Sequence, residues 1–368
     1  MKSALKPETT ESHDGLIIVA GPCGAESYEQ LLETARGIAG IKNVRYLRAG
    51  IWKPRTRPDS FEGMGEVALE WMKEVARQTG LLTTVEVANA SHTEAALKAG
   101  MNAVWIGART TVNPFYVQEI ADALKGTGIP VMIKNPVNPD VGLWIGAIER
   151  IAKAGSKELI AIHRGFTNYS PSQFRNDPHW EIVIELKRRL PGLPVICDIS
   201  HISGKRTYLK EIAQRALDLD MQGLMVETHI NPDKALSDAE QQITPLQLKQ
   251  LLNELVIRKP NSNDVIFKST LEDLRRQIDR MDYELLLILA ARTSIVEKIG
   301  EYKRDNNVTV LQLERWAQIL NDRIPFGVQH GLDGDFVHRL YELIHNESLR
   351  LQNAIMNMKK TADDLTNE

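Results

Sequence analysis

Eight short apolar runs recur through the first two-thirds of the chain, and each gives way to polar or charged residues. The runs are Ile17–Ala20, Tyr46–Ile51, Thr83–Val87, Ala103–Ile106, Val131–Ile133, Leu159–Ile162, Val195–Cys197 and Gly223–Val226. Runs this short suit strands buried on both faces, and they begin at intervals of roughly 20 to 37 residues. Amphipathic segments fill the intervals, among them Gly65–Gln78, Thr93–Ala99, Pro114–Leu124, Val141–Ala154, Glu181–Leu190 and Thr207–Ala216. Strands and helices alternating on short connections predict an α/β fold with a parallel sheet, and eight such units predict closure into a (β/α)8 TIM barrel. No Gly-x-Gly-x-x-Gly opens a helix, which argues against a dinucleotide-binding sheet. A last helix over Pro245–Val256 completes the barrel.

In such a barrel the C-terminal ends of all strands open on one face, and catalysis sits there. That face would collect Gly21-Pro22-Cys23, Lys53-Pro54-Arg55-Thr56, Glu86, Gly107-Ala108-Arg109, Lys134-Asn135-Pro136, His163-Arg164-Gly165, Asp198-Ile199-Ser200-His201 and Glu227-Thr228-His229. Five cations, Arg48, Lys53, Arg109, Lys134 and Arg164, fall at or near strand ends. Buried lysines and arginines need partners, so this concentration predicts a bound anion, and Arg55 with Thr56 could hold a second phosphate. Singly, each cation could pair with a neighbouring acid. Jointly they outnumber the acids left once Glu227 and Asp238 are set aside. Those two carboxylates, with Cys23 and His201, form a donor set of mixed softness suited to a divalent transition metal. The bland alternative is a small buried cysteine and solvated loop acids.

Charge and composition exclude other classes. The 45 Lys and Arg residues against 48 Asp and Glu give a net charge of −3, which argues against nucleic acid as a partner. The longest apolar stretch, Leu285–Ala291, is far too short to span a bilayer. Met1–Gly15 is polar and has no signal-peptide core. Two cysteines make no disulfide framework, so a reducing cytoplasm is expected. A barrel beginning near Leu16 would leave no room for a sensor domain ahead of it.

The pattern changes after Arg258–Asp264, whose RKPNSND composition marks a linker. The chain therefore reads as a barrel over residues 1–256, a linker over 257–268 and an all-α domain over 269–368. From Ser269 to Asp305 there is no proline and one glycine, Gly300. Leu271, Leu274, Ile278, Met281, Leu285, Ile288, Arg292, Ile295, Ile299 and Tyr302 form a heptad seam on one helix about 50 Å long. A second helix is expected over Val310–Ile324, stopping at Pro325, and a third over Asp333–Met358. One long helix with two shorter ones buries little alone, so a homodimer through this domain is expected. Arg292 sits on the seam between Ile288 and Ile295, and Lys303 returns to nearly the same face. Ser348 and Gln352 share a face of the last helix, whereas Arg275 is rotated about 100° from Arg292. A dimerising coiled coil with an interhelical ion pair is the plainer alternative.

The barrel segments GPCGAES, KPRT, GART, IKNP, HRG, DISH, GLMVETHINP and KALSDAEQQ occur in that order. Together, over about residues 16–256, they resemble the 3-deoxy-D-arabino-heptulosonate 7-phosphate (DAHP) synthases, the shorter type I enzymes akin to 3-deoxy-D-manno-octulosonate 8-phosphate synthases. The resemblance implies Cys23, His201, Glu227 and Asp238 as ligands of a divalent metal, manganese first, with cobalt, iron or zinc as alternatives. It implies Arg48, Lys53, Arg109, Lys134 and Arg164 around phosphoenolpyruvate, with Lys53 or Lys134 donating near developing charge. Arg55 and Thr56 would bind erythrose 4-phosphate. KPRT in place of the KANR-like loop of the octulosonate enzymes favours the four-carbon aldose.

In the helical part, LEDLRRQID, LAART, EYKRD, LERW and LIHNESLRLQ resemble the all-α chorismate mutases over roughly residues 268–355. The resemblance implies a pocket lined by Arg292, Lys303, Arg315, Ser348 and Gln352. Arg275 would reach the partner subunit's pocket in an intertwined dimer. Trp316 departs from the family, which usually places Glu or Gln there to meet the substrate hydroxyl, and Gln312 stands where related enzymes have Asp. The expected function is bifunctional: DAHP synthesis joined to the rearrangement of chorismate to prephenate. Two alternatives remain at this point: a helical domain that mainly dimerises and senses chorismate or prephenate, and octulosonate phosphate synthesis. Chorismate or prephenate bound near Arg292 and Lys303 is expected to inhibit synthesis.

Overall fold

A computed structural model of the chain describes residues 15–53, 61–156, 158–167, 172–259 and 261–357. Arg55 and Thr56 lie outside the described residues. Two compact units divide the chain, Met1–Pro260 and Asn261–Glu368.

The first unit is a closed barrel in the order β1 to β8, with every neighbouring pair parallel. Its strands are β1 (Ile17–Gly21), β2 (Val44–Ala49), β3 (Leu82–Val87), β4 (Ala103–Ile106), β5 (Val131–Lys134), β6 (Leu159–His163), β7 (Val195–Asp198) and β8 (Gly223–Glu227). β1 closes the ring against β8, from Ile17 opposite Gly223 to Gly21 opposite Glu227. The closure is tight: a Cβ on Gly223 would lie 2.0 Å from the Ile17 carbonyl oxygen. Four strands run one residue beyond their apolar run and take in Lys134, His163, Asp198 and Glu227. All four side chains are buried.

Helices α1 (Tyr28–Ala39), α2 (Val67–Thr79), α3 (Ala90–Lys98), α4 (Ala108–Thr111), α5 (Pro114–Leu124) and α6 (Val141–Lys153) follow the first five strands. Then come α7 (Trp180–Arg189), α8 (Ile199–Ser203), α9 (Leu209–Asp218) and α10 (Pro245–Glu254). Local chemistry fixes their starts. Ser27, Asn89, Asn113 and Asp140 each accept a backbone N–H in the first turn, and Thr244 forms a capping box with Gln247. Alternation along the strands makes two apolar layers. Val19, Tyr46, Trp105, Met132, Ile160, Ile196 and Met225 fill the interior, and a larger layer lies between sheet and helices.

The second unit holds α11 (Val265–Asp305), α12 (Leu313–Gln329) and α13 (Gly334–Met356). Two expectations change here. α11 starts at Val265 rather than Ser269, because the Asp264 side chain caps the Phe267 N–H. α12 continues through Pro325 instead of stopping before it. Its last turn docks on α13, where a Cβ on Gly327 would come within 2.6 Å of Val337, and this packing outweighs the ~3 kcal/mol an interior proline costs. The heptad seam lies mostly exposed, and a neighbouring face packs within the chain. Val296 and Gly300 are buried, with Leu289, Arg292 and Lys303 partly buried beside them. Ile288, Ile295, Ile299 and Tyr302, one position round, are 43% to 74% exposed. No helix among the described residues is long and apolar enough to cross a membrane.

Candidate active sites

Cys23 lies two residues beyond β1, Glu227 ends β8, and Asp238 follows in a left-handed conformation at φ 49°. Their sulfur and carboxylate oxygens all lie within 4.8 Å of one another. Cys23 Sγ is 3.1 Å from Asp238 Oδ2 and 2.8 Å from Lys53 Nζ. His201, on α8, brings Nε2 to 3.8 Å from Glu227 Oε1. Its other nitrogen, Nδ1, is 2.9 Å from Asp198 Oδ2, a carboxylate that fixes the ring's orientation.

One Glu227 oxygen accepts from Gln241 Nε2 at 2.6 Å, while the other, Oε1, is buried and accepts no hydrogen bond. With only the Arg48 ion pair against it, this buried oxygen faces a thiol, an imidazole and a second carboxylate, a setting that suits a further cation. The donor set fits a divalent transition metal. Burial, reinforced by Lys134 and opposed by Asp198, holds the His201 imidazole below its usual pKa, in the neutral form that a metal takes. Burial and Glu227 push the Cys23 thiol up to about 12, against the pull of Lys53 and Arg48.

The predicted cations gather around this cluster. Arg48 is 2% exposed and its Nη2 lies 3.3 Å from Glu227 Oε1. Lys134 Nζ is 2.8 Å from Asp198 Oδ2. Both sit over the Trp105 ring, at 5.0 and 5.8 Å from its centroid. Trp105 in turn donates Nε1–H to Glu86 Oε2 at 2.9 Å. Gly107 makes room for that carboxylate, since a Cβ there would stand 2.0 Å from Glu86 Oε1. Arg164 donates to Asn176 Oδ1 at 2.8 Å, and its backbone N–H donates to Asn135 Oδ1 at 2.7 Å. Burial, together with the Arg175 and Arg109 charges and against the pull of Asp198, lowers Arg164 to about 10. A buried guanidinium beside two further cations suits an anion at that point. Arg109 is exposed on α4. His163 instead packs among Trp144, Phe166 and Trp180, and burial and Arg164 take it down to about 3.

Sequence reasoning gave no role to Asp198, Trp105, Arg175 or Gln241. Asp198 had a signal, since it opens the DISH segment at a strand end. Arg175 had none: it lies in an aperiodic loop, yet it donates to Asp238 Oδ1 at 2.9 Å and Gln241 Oε1 at 2.7 Å. Asp198→Asn should leave Lys134 buried without a counter-charge and lower stability by ~3–5 kcal/mol in denaturant titration. An unchanged midpoint would mean that Lys134 draws its balance from another group.

In the second unit Arg292 Nη1 donates to Ser348 Oγ at 2.8 Å, and Ser348 Oγ donates to the Ile344 carbonyl at 2.7 Å. Ser348 and Gln352 are buried, and Gln352 Oε1 has no donor. Lys303 Nζ donates to the Val310 carbonyl at 2.6 Å, and burial lowers its pKa. Gly300 lets α11 and α13 meet closely: a Cβ there would be 3.3 Å from Gln352 Cα. Thus Arg292, Lys303, Ser348 and Gln352 belong to facing sides of one helix pair. Arg315 is exposed on α12 and donates to Gln318 at 3.3 Å. Arg275 is exposed on α11, about 26 Å along the axis from Arg292. Trp316 stacks on His345, with ring centroids 4.2 Å apart.

A family model described as the DAHP synthetase I family matches residues 7–259. The chain belongs to this family. A second model, chorismate mutase type II, matches residues 274–353. The DAHP synthetase I region is 31% identical over 238 residues to a phospho-2-dehydro-3-deoxyheptonate aldolase of Thermotoga maritima, covering 65% of this chain and 68% of that one. It is 28% identical over 274 residues to a 2-dehydro-3-deoxyphosphooctonate aldolase of Desulfatibacillum aliphaticivorans, covering 67% and 93%. The crystal structure of the Thermotoga maritima DAHP synthase superposes with a TM-score of 0.59 at 29% identity, over 65% of this chain and 67% of that one. A truncated form of the Thermotoga maritima enzyme gives 0.57 at 27% identity, over 65% and 84%. A DAHP synthase and a chorismate mutase, two activities of the shikimate pathway, are therefore joined in one chain.

Proposed function

We propose that the barrel condenses phosphoenolpyruvate with erythrose 4-phosphate at the cluster around Glu227, and that the helical unit rearranges chorismate at the Arg292–Ser348 pair. The observation that carries the first assignment is the buried Glu227 Oε1, which accepts no hydrogen bond, lies 3.3 Å from Arg48 and faces Cys23, His201 and Asp238. Cys23, His201, Glu227 and Asp238 would hold a divalent metal, manganese first and cobalt, iron or zinc as alternatives, which when bound supplies Lewis acidity to the aldehyde oxygen.

Arg48, Lys53, Arg109, Lys134 and Arg164 would hold the phosphate and carboxylate of phosphoenolpyruvate, the guanidinium groups bidentately. Arg55 and Thr56 would take the aldose phosphate. Carbon 3 of the enol phosphate attacks the aldehyde carbon, carbon 2 becomes cationic and takes water, and the phosphohemiketal loses phosphate by C–O cleavage. Lys53, beside Cys23, or Lys134, beside Asp198, would donate a proton near the charge that develops.

In the helical unit, Arg292 and Arg315 would pair the two carboxylates of chorismate, with Ser348 adding a hydroxyl. Lys303 and the Gln352 amide would meet the ether oxygen, which gains negative charge in the pericyclic transition state. The exposed stripe Ile288, Ile295, Ile299 and Tyr302 supports a second copy of the chain as its cover, and that copy would bring in Arg275. Inhibition of synthesis by chorismate or prephenate at this pocket belongs to the same reading, as does a cytoplasmic setting for the two buried free cysteines.

The test is a product assay with phosphoenolpyruvate and either erythrose 4-phosphate or arabinose 5-phosphate, with and without chelator. DAHP should form only with the four-carbon aldose and only with metal present. Comparable turnover of the five-carbon aldose would reassign the barrel to octulosonate phosphate synthesis.

A further inference from the structure

The helical pocket contains a polar group that the reading above leaves unused. His345 lies three residues before Ser348 and seven before Gln352 on α13, so the three share a face. Its ring stacks on Trp316 of α12 at 4.2 Å between centroids and 18° from parallel, which fixes the imidazole plane. Ser348, one turn on, receives the Arg292 guanidinium at 2.8 Å. Burial, then the charges of Arg292 and Lys303, lower the imidazole's pKa and favour its neutral form.

A neutral imidazole has one N–H donor and one bare acceptor nitrogen. That capacity is scarce in the rest of the pocket, where Gln352 Oε1, buried without a donor, is the other open side-chain acceptor. Arg292 and Lys303 only donate, Ser348 Oγ already gives its proton to Ile344, and the Trp316 indole N–H only donates. The Gln352 amide is assigned to the ether oxygen. Chorismate carries, besides two carboxylates and the ether, a secondary ring hydroxyl whose proton needs an acceptor.

We propose that His345, held flat against Trp316, accepts the hydrogen bond of the substrate's ring hydroxyl and so selects hydroxylated over deoxy substrates. The proposal rests on the mutase reading of the helical unit. The hydroxyl is not a reacting group, so the contact exists in ground and transition states alike and should appear in KM.

The experiment compares the full-length parent, His345→Phe and His345→Gln on chorismate and on 4-deoxychorismate. Phenylalanine keeps an aromatic face for Trp316 and removes both nitrogens. Glutamine keeps an acceptor. His345→Phe should raise KM for chorismate about fivefold to tenfold with kcat near the parent value, the worth of one neutral hydrogen bond. His345→Gln should recover most of that loss. The parent and His345→Phe should handle the deoxy substrate alike. Equal KM values for chorismate in the parent and His345→Phe would overturn the proposal. So would the same loss on both substrates, which marks a packing role. A parent without mutase activity would instead overturn the mutase reading beneath it.

Discussion

Cys23→Ala should remove DAHP synthesis, by a factor on the order of 10³ or more, which corresponds to ~4 kcal/mol of transition-state stabilisation. The thiol is 2% exposed and lies against both Asp238 and Lys53, so its loss takes one donor from the cluster and leaves Lys53 without its 2.8 Å partner. Alanine is small and apolar, and the buried site tolerates it sterically. The variant should therefore fold, bind less manganese per chain at equilibrium, and still rearrange chorismate near the parent rate. Substantial DAHP formation in the presence of chelator, by the parent or by the variant, would sink the assignment of Cys23, His201, Glu227 and Asp238 to a metal.

Arg292→Ala should have the opposite selectivity. The guanidinium is partly buried on α11 and donates to Ser348, and the proposed reading gives it a substrate carboxylate. Removing one member of a buried charge pair costs ~3–5 kcal/mol, so mutase kcat/KM should fall by about 10² to 10³ while DAHP synthesis persists. A folded variant that turns over chorismate at the parent rate would show that the pocket lies elsewhere on the helices.

The barrel was legible because its strands are buried on both faces. Short unbroken apolar runs at regular spacing leave few other folds, and the polar residue ending each run had to lie at the barrel mouth. Cys23, Lys134, His201 and Glu227 could be found that way. Their cross-barrel partners could not. Asp198 bridges Lys134 and His201, and Trp105 lies beneath Arg48 and Lys134, through register and barrel curvature that no local pattern records. Arg175 reaches Asp238 from a loop with no periodicity at all.

In the helical unit the elements were legible but their facing was not. A heptad count marks an apolar stripe without saying whether it meets the same chain or another. On α11 the stripe that packs inside the chain, through Val296 and Gly300, is one residue away from the one the count selects. Pro325 misled for a related reason: tertiary packing through Gly327 carries the helix past it.

That one-residue offset bears on how freely α11 can vary. Two adjacent stripes, one turned to α13 and one exposed, leave only a narrow sector of the helix without an apolar task. Arg292 and Lys303 lie on the inward stripe beside the exposed one. A substitution scan along α11 should show two overlapping periodicities of intolerance, one read in folding of the chain and one in its self-association. Drift at Ile295 or Ile299 would then alter the carboxylate pocket without touching any residue in it.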